Sequence, residues 1–323
     1  MATYAIRRIW ESIPTLFGIL VLAFFALSFA PGDALTALMD PELLSQLTEE
    51  QRSVLRREMG LDQPTPVRFV IWLSDIFRGN LGYSVVNQRM VGDALVARLP
   101  PTLLLMSAAA LVGIPLGIGI GIVAATHQYS LVDYLATGFS TALISIPGFV
   151  VGLVLVYFFG AGLKILPTTG MVSLGKPFDL WDLFLHMIMP VSLLGLALSA
   201  RVARYTRTSM LEVMSSDFIT AARAKGVRPR PVLWHHCLRN ALLPIITVVG
   251  LTLPDLVAGA VITEAIFGWA GMGQLAVKAA AGRDAPLMMG VILVVAPAVL
   301  FSTIISDVAY AYADPRIQLD RKS

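Results

Sequence analysis

Six apolar runs, nearly free of charge, decide what this chain can become: Ser12 to Ala30, Thr102 to Ala125, Tyr134 to Leu163, Leu183 to Ala200, Ala241 to Thr263 and Met288 to Ser306. About 20 such residues in a helix cross the roughly 30 Å hydrocarbon core of a bilayer. A helix also satisfies its own backbone hydrogen bonds where no water is present. The expected fold is therefore an all-α integral membrane protein with six transmembrane helices. Composition agrees, since 56% of the 323 residues are hydrophobic and 14% charged. Charges are too few to cover a soluble surface of that size.

Orientation follows from the basic residues. Arg7 and Arg8 precede the first run. That run is longer than a signal's hydrophobic region, and APGD after it offers no small-x-small cleavage site, so it reads as an uncleaved span at 1–30 with a cytoplasmic N-terminus. Residues 31–101 form the one long polar stretch between spans and read as an extracytoplasmic helical cap. In it Thr48, with Gln51 three residues later and Gly60 beyond, marks one short helix. VRFVIWLSDIF predicts a second, with Val67, Val70, Ile71 and Ser74 on one side. Acids outnumber arginines here, and a segment this long is only weakly bound by the positive-inside tendency. The third apolar run should bend near Pro147. THQYSLVD, the turn before it, is cytoplasmic by parity although it contains no Lys or Arg.

The strongest orientation signal lies between the fourth and fifth runs. Arg201, Arg204, Arg207, Arg223, Lys225, Arg228, Arg230 and Arg239 are set against only Glu212 and Asp217, which makes the loop 205–240 cytoplasmic. Ser215, Ser216 and Asp217 offer caps for a helix start. FITAARAK gives about two turns, with Phe218, Ala221, Ala222 and Lys225 on one face. Gly226 suits the stop, Pro229 prevents continuation, and Pro231 suits the first position of a second helix. A short helix with small residues on one side is a docking peg for another protein. Arg316, Arg321 and Lys322 place the tail 311–323 inside as well.

Several chemistries are disfavoured. There is no GxxxxGK[ST] loop, so the chain should not hydrolyse ATP itself. HExxH is absent, and adjacent His235 and His236 splay apart on a helix, so no metal site is expected. No GxSxG or other nucleophile setting appears, which argues against an intramembrane hydrolase. The glycines of GIPLGIGIGIV lack the strand–turn–helix context of a dinucleotide site and suit close helix packing instead. A net charge of +3, clustered in one loop, does not point to nucleic acid. Cys237 is the single cysteine, so no internal disulfide is possible. GWAGMG before the last run can only be a tight, glycine-permitted turn. Asp255, inside the fifth run beside Pro254, should face protein or water, because a lipid-facing carboxylate costs about 2.5–3.5 kcal/mol on insertion scales. It either lines a pathway or makes a structural bond to a neighbouring span.

TAARAKG followed by HCLRNALLP resembles the cytoplasmic loop signature of binding-protein-dependent ABC importer permeases, in particular the dipeptide, oligopeptide and nickel permease family. Ala221, Ala222, Gly226 and Leu238 keep the broad pattern. Thr220, His236 and Arg239 depart from it in the manner of the peptide and nickel branch. RRIWESIPTLFGILVLAFFALSFAPGD, GLDQP, GNLGYS, VITEAIFGWAGMGQL and DPRI extend the likeness over nearly the whole chain. The resemblance implies a type I ABC importer transmembrane domain at 102–310. Asp217, Phe218, Thr220, Ala221, Ala222, Ala224, Lys225 and Gly226 would be the ATPase-coupling segment. His236, Leu238, Arg239, Asn240 and Pro244 would complete the loop signature. It also implies a homologous second permease, one or two cytoplasmic ATPases that carry the ATP and Mg, and an extracytoplasmic binding protein. The chain itself would bind no cofactor. Peptides lead as substrates, with nickel chelates and glutathione as alternatives within the family. An ion-coupled secondary transporter is the competing class, but it would show paired ionisable residues at mid-membrane or internal repeats.

Overall fold

Charge-free sequence closes its backbone bonds in helices throughout the computed structural model, which describes residues 2–29, 46–58, 62–175 and 177–313. In chain order the helices are α1 (Ala2–Phe29), α2 (Glu49–Glu58), α3 (Thr65–Phe77), α4 (Val91–Thr126), α5 (Leu131–Ser145) and α6 (Gly148–Leu155). A π-helical turn, Val156–Gly162, continues α6. There follow α7 (Leu180–Met214), α8 (Asp217–Ala224), α9 (Pro229–Pro231), α10 (Arg239–Ile266), α11 (Met272–Ala281) and α12 (Ala285–Ala313). Tyr83–Ser84 and Arg89–Met90 pair antiparallel as β1 and β2, with Tyr83 opposite Met90. By length and composition four helices can cross a membrane among the described residues, or six if each of two bent pairs is one span. One pair is Leu131–Ser145 with Gly148–Gly162, bent by 100° at the expected Pro147.

The chain divides into two compact units. The first comprises Met1–Ile9, Leu103–Trp269 and Val299–Ser323. Its α4 and α7 approach as closely as backbones can. A Cβ on Gly113 would stand 2.6 Å from the Gly195 carbonyl oxygen, one on Gly117 2.6 Å from that of Ser199, and one on Gly121 2.6 Å from that of Ala203. These glycines recur every fourth residue and so share one helix face. Gly119, off that face, has nothing within 4 Å of its would-be Cβ. The packing expected of GIPLGIGIGIV is therefore present, on three of its glycines. Gly268 takes φ +58 in the turn after α10, and Gly170 donates its amide to the Phe267 carbonyl, which forms the tight corner expected of GWAGMG.

The second unit comprises Trp10–Thr102 and Ala270–Ala298. Val91, Ala94 and Leu95 pack on Met272, Leu275, Ala279, Leu287 and Val291. Asp284 joins the hairpin to α12: it accepts from Ser84 Oγ at 2.7 Å, from the Val86 amide at 3.1 Å and from the Leu287 amide at 3.0 Å. The Thr48–Gln51 capping box forms as expected, the Thr48 amide donating to Gln51 Oε1 at 2.9 Å and the Gln51 amide to Thr48 Oγ1 at 3.3 Å. Gly60, the expected stop of α2, lies outside the described residues. Helix α4 begins at Val91, ahead of the expected edge at Thr102, and runs through Pro100 and Pro101.

The glycine ladder makes an exacting prediction. Gly117→Val should cost about 1–3 kcal/mol or more through overpacking, while Gly119→Ala should be nearly neutral. Thermal stability of the two purified variants, read by size-exclusion chromatography after heating, checks the contrast.

Candidate functional site

The polar loop between α7 and α10 is built around one buried side chain. Helix α8 is only two turns long and could not persist by propensity alone. Ile219 fixes it: fully buried, it enters a cluster of Ile122 and Ala125 from α4, Met210 from α7, and Val232, Cys237, Ala241 and Ile245 from the α9–α10 arm. Burying an isoleucine is worth about 1.5–3 kcal/mol. Ala222, one turn on, is half-buried on the same side. Asp217, Thr220, Ala221, Ala224 and Lys225 are exposed, as is Phe218 at 47%. Phe218, Ala221 and Lys225 thus share the outward face expected of them, whereas Ala222 turns partly toward the core.

The ends of α8 are defined by backbone geometry more than by side-chain caps. Ser216 occupies the N-cap position without a side-chain cap bond. Its hydroxyl instead donates back to the Val213 carbonyl, and the Ser215 hydroxyl donates to the Glu212 carbonyl. The expected serine cap is therefore replaced, because the preceding helix α7 ends so close that its last carbonyls compete for the hydroxyls. At the other end Gly226 takes φ +77. Its amide donates to the Arg223 carbonyl at 2.9 Å, and the Val227 amide donates to that of Ala222 at 3.3 Å. This is the paired closure that a left-handed glycine permits.

The next helix starts at Pro229, not at the expected Pro231. Proline's missing amide costs nothing in a first turn, and Pro229 is the first of the two to meet that condition. The backbone then widens into a π-helical turn, Val232–Leu238. This turn inserts Val232 and Cys237 into the Ile219 cluster and leaves Trp234 and His235 exposed. Of the second signature group, His236 and Leu238 are half-buried, and Leu238 packs on the same cluster. Arg239 and Asn240 are exposed, with Asn240 Nδ2 donating to the His236 carbonyl at 2.6 Å. Pro244 marks a 43° bend between Pro229–Leu242 and Pro244–Thr252. Asp255 lies in α10, but its side chain is outside the described residues.

One constellation was not anticipated from the sequence. Arg207, near the end of α7, holds Asp133 of α5 with two parallel bonds, Nε to Oδ1 at 2.6 Å and Nη2 to Oδ2 at 2.7 Å. Such a fork is the strong, geometrically specific form of a charged hydrogen bond. Asp133 also accepts from the Tyr129 amide at 3.0 Å and from Thr137 Oγ1 at 3.3 Å, which satisfies a buried carboxylate. Asp133 thus joins the turn ahead of α5 to α7. Among the described residues no group of three or more His, Cys, Asp or Glu converges.

The fold is thus a multi-span helical bundle with a structured, core-anchored loop between two apolar helices. The chain belongs to the family of binding-protein-dependent transport system inner membrane components: that family's model matches residues 117–319. The model of the family's N-terminal segment matches residues 1–106. The oligopeptide transport system permease protein AppB of Bacillus subtilis is 40% identical over 319 residues, 98% of this chain and all of that one. The glutathione transport system permease protein GsiC of Escherichia coli K12 is 35% identical over 318 residues, 98% of this chain and 99% of that one. Among solved structures, a chain of the inward-facing MetNI methionine ABC transporter superposes with TM-score 0.56 at 18% identity, covering 68% of this chain and 96% of that one. That likeness is one of fold. The protein is accordingly a multi-pass membrane permease subunit.

If Ile219 is the anchor, Ile219→Ala should cost α8 about 2 kcal/mol or more. Since about 1.4 kcal/mol is a factor of ten, amide exchange across 218–226 should quicken by more than tenfold while α7 keeps its protection. Hydrogen–deuterium exchange followed by mass spectrometry checks this.

Proposed function

We propose that the chain forms half of the translocation pathway of an ATP-driven importer, and that α8 is where the ATPase takes hold. The supporting observation is the anchoring itself. Phe218, Ala221 and Lys225 stand outward on a helix whose opposite face is locked by Ile219 to α4, α7 and the α9–α10 arm. A partner that grips the outward face moves those helices with it. An exposed Phe218 beside small side chains suits a protein groove, since alanines let the groove wall approach the backbone.

The remaining parts of the assembly follow from family membership. A second, homologous permease completes the pathway. One or two cytoplasmic ATPases bind and hydrolyse ATP with Mg, and an extracytoplasmic binding protein delivers the solute. Closure of the ATPases on nucleotide pulls α8 and switches the pathway between outward and inward access. Peptides are the substrate class we favour, because the relatives span an oligopeptide permease at 40% identity and a glutathione permease at 35%. Glutathione is itself a tripeptide, so both names describe short peptides. The chain resides in the plasma or inner membrane with both termini and the loop 205–240 in the cytoplasm.

Two experiments test this reading. Gly226→Val places a β-branched residue where φ is +77, which such a residue strongly resists. The variant should remain in the membrane, lose peptide uptake by at least tenfold and retain less ATPase on purification. Normal uptake with normal ATPase retention would remove the coupling assignment. Topology is read separately: an alkaline-phosphatase fusion after Gly175 should be active and one after Arg223 inactive. Activity at Arg223 would turn the loop outward and away from any ATPase.

A further inference from the structure

Helix α3 falls in the stretch that the sequence assigns to an extracytoplasmic helical cap, yet it packs on the apolar runs of α1 and α12. Phe69 is buried against Leu20 and Phe24 of α1 and Met289 of α12. Its ring centroid lies 6.0 Å from that of Phe17 and 5.3 Å from that of Phe24. Trp72 adds a contact to Phe24 at 5.6 Å, and Ile292 and Leu293 of α12 border the same cluster. Phe17 and Phe24 both lie well inside the charge-free run Ser12–Ala30, each more than a helical turn from its ends. At about 1.5 Å per residue, Phe69 is held level with the interior of that run. Met289, Ile292 and Leu293 likewise belong to the apolar run of the last span.

The rest of α3 fits the same level. Phe69, Trp72, Leu73 and Ile76 are its protein-facing side. Val67, Val70 and Phe77 occupy a neighbouring strip at three- and seven-residue spacing and are exposed by 42%, 64% and 84%. Arg68 and Asp75, also seven residues apart, make a separate polar strip. A helix in water would not leave Val67, Val70 and Phe77 bare along one side of a packed apolar face, because single exposed apolar residues are normal on a surface but several aligned ones are not. A helix packed on spans within a membrane can present three faces: one to protein, one to acyl chains and one to a polar or hydrated zone. Arg68 can meet the polar zone through its long stem.

We propose that α3 is a membrane-embedded helix packed on α1 and α12, with Val67, Val70 and Phe77 in contact with lipid acyl chains. The occupant of this strip is lipid rather than a binding protein or second subunit, because Phe69 on the same helix packs level with the interior of the apolar run of α1. The inference needs only that α1 and α12 cross the membrane, so it stands or falls independently of the ATPase and substrate assignments.

The test is electron paramagnetic resonance on the full-length chain, with whichever subunits co-purify, in lipid nanodiscs. Single cysteines replace Val70, Phe77 or Asp75 in a Cys237→Ala background and carry a nitroxide. All three positions are at least partly exposed, so the label adds no core clash. Collision rates with oxygen, which concentrates in lipid, are compared with those of an aqueous nickel chelate. The oxygen-to-nickel ratio should be several-fold higher at positions 70 and 77 than at 75. Equal nickel access at all three would make α3 an aqueous cap helix and overturn the proposal. Labels at 70 and 77 that meet neither reagent would show protein covering the strip, and would overturn it equally.

Discussion

Burial of Ile219 is the contact on which the functional reading rests. A two-turn helix with no side-chain cap at its N-terminus has little stability of its own. It is held because one isoleucine enters a cluster supplied by α4, α7 and the α9–α10 arm. The helix consequently cannot shift without disturbing the ends of at least three longer helices. Packed interiors transmit such displacements, since they are dense and resist compression. Under the proposed coupling, a peg attached in this way would act as a lever.

The helices it grips are stiffly joined in turn. Gly113, Gly117 and Gly121 bring α4 against α7 with no space for a side chain between them. The Arg207–Asp133 fork ties α5 to the same end of α7. Ser306 donates its hydroxyl to the Gly250 carbonyl, joining α12 to α10. Each link uses a different interaction: close van der Waals approach, a buried charged fork, and a hydroxyl-to-backbone bond. Together they let a displacement at the loop reach several spans at once. The sharp breaks at Pro147 and near Pro244 are where the bundle can bend instead.

Much of this was readable from residue order alone. Hydropathy gives the helical runs because the bilayer demands length and apolarity together. The glycine ladder was legible from spacing, and Gly226 and Gly268 from the turns around them. The same holds for the Thr48–Gln51 box, whose two partners are three residues apart. What escaped depends on longer distance or local competition. Asp133 and Arg207 are separated by 74 positions, so their pairing has no local signal. The inward role of Ile219 was obscured because a two-turn helix offers overlapping faces, and small residues drew attention to the opposite one. Ser215 and Ser216 were plausible caps until the last carbonyls of α7 competed for them. The π-helical turn at Val232–Leu238 needs one extra residue per turn, which periodicity at 3.6 cannot register.

Because one cluster holds α8 and the start of α10, the two should move as a single body. The direct measurement is the distance between nitroxide labels at Thr220 and Leu251, both exposed, by double electron–electron resonance on the importer complex with and without trapped nucleotide. One narrow distribution that nucleotide leaves in place is expected, and a broadened one in the Ile219→Ala chain. A nucleotide-dependent shift in the unaltered chain would mean that α8 moves relative to α10, at its own ends or at the Pro244 bend, and would contradict it.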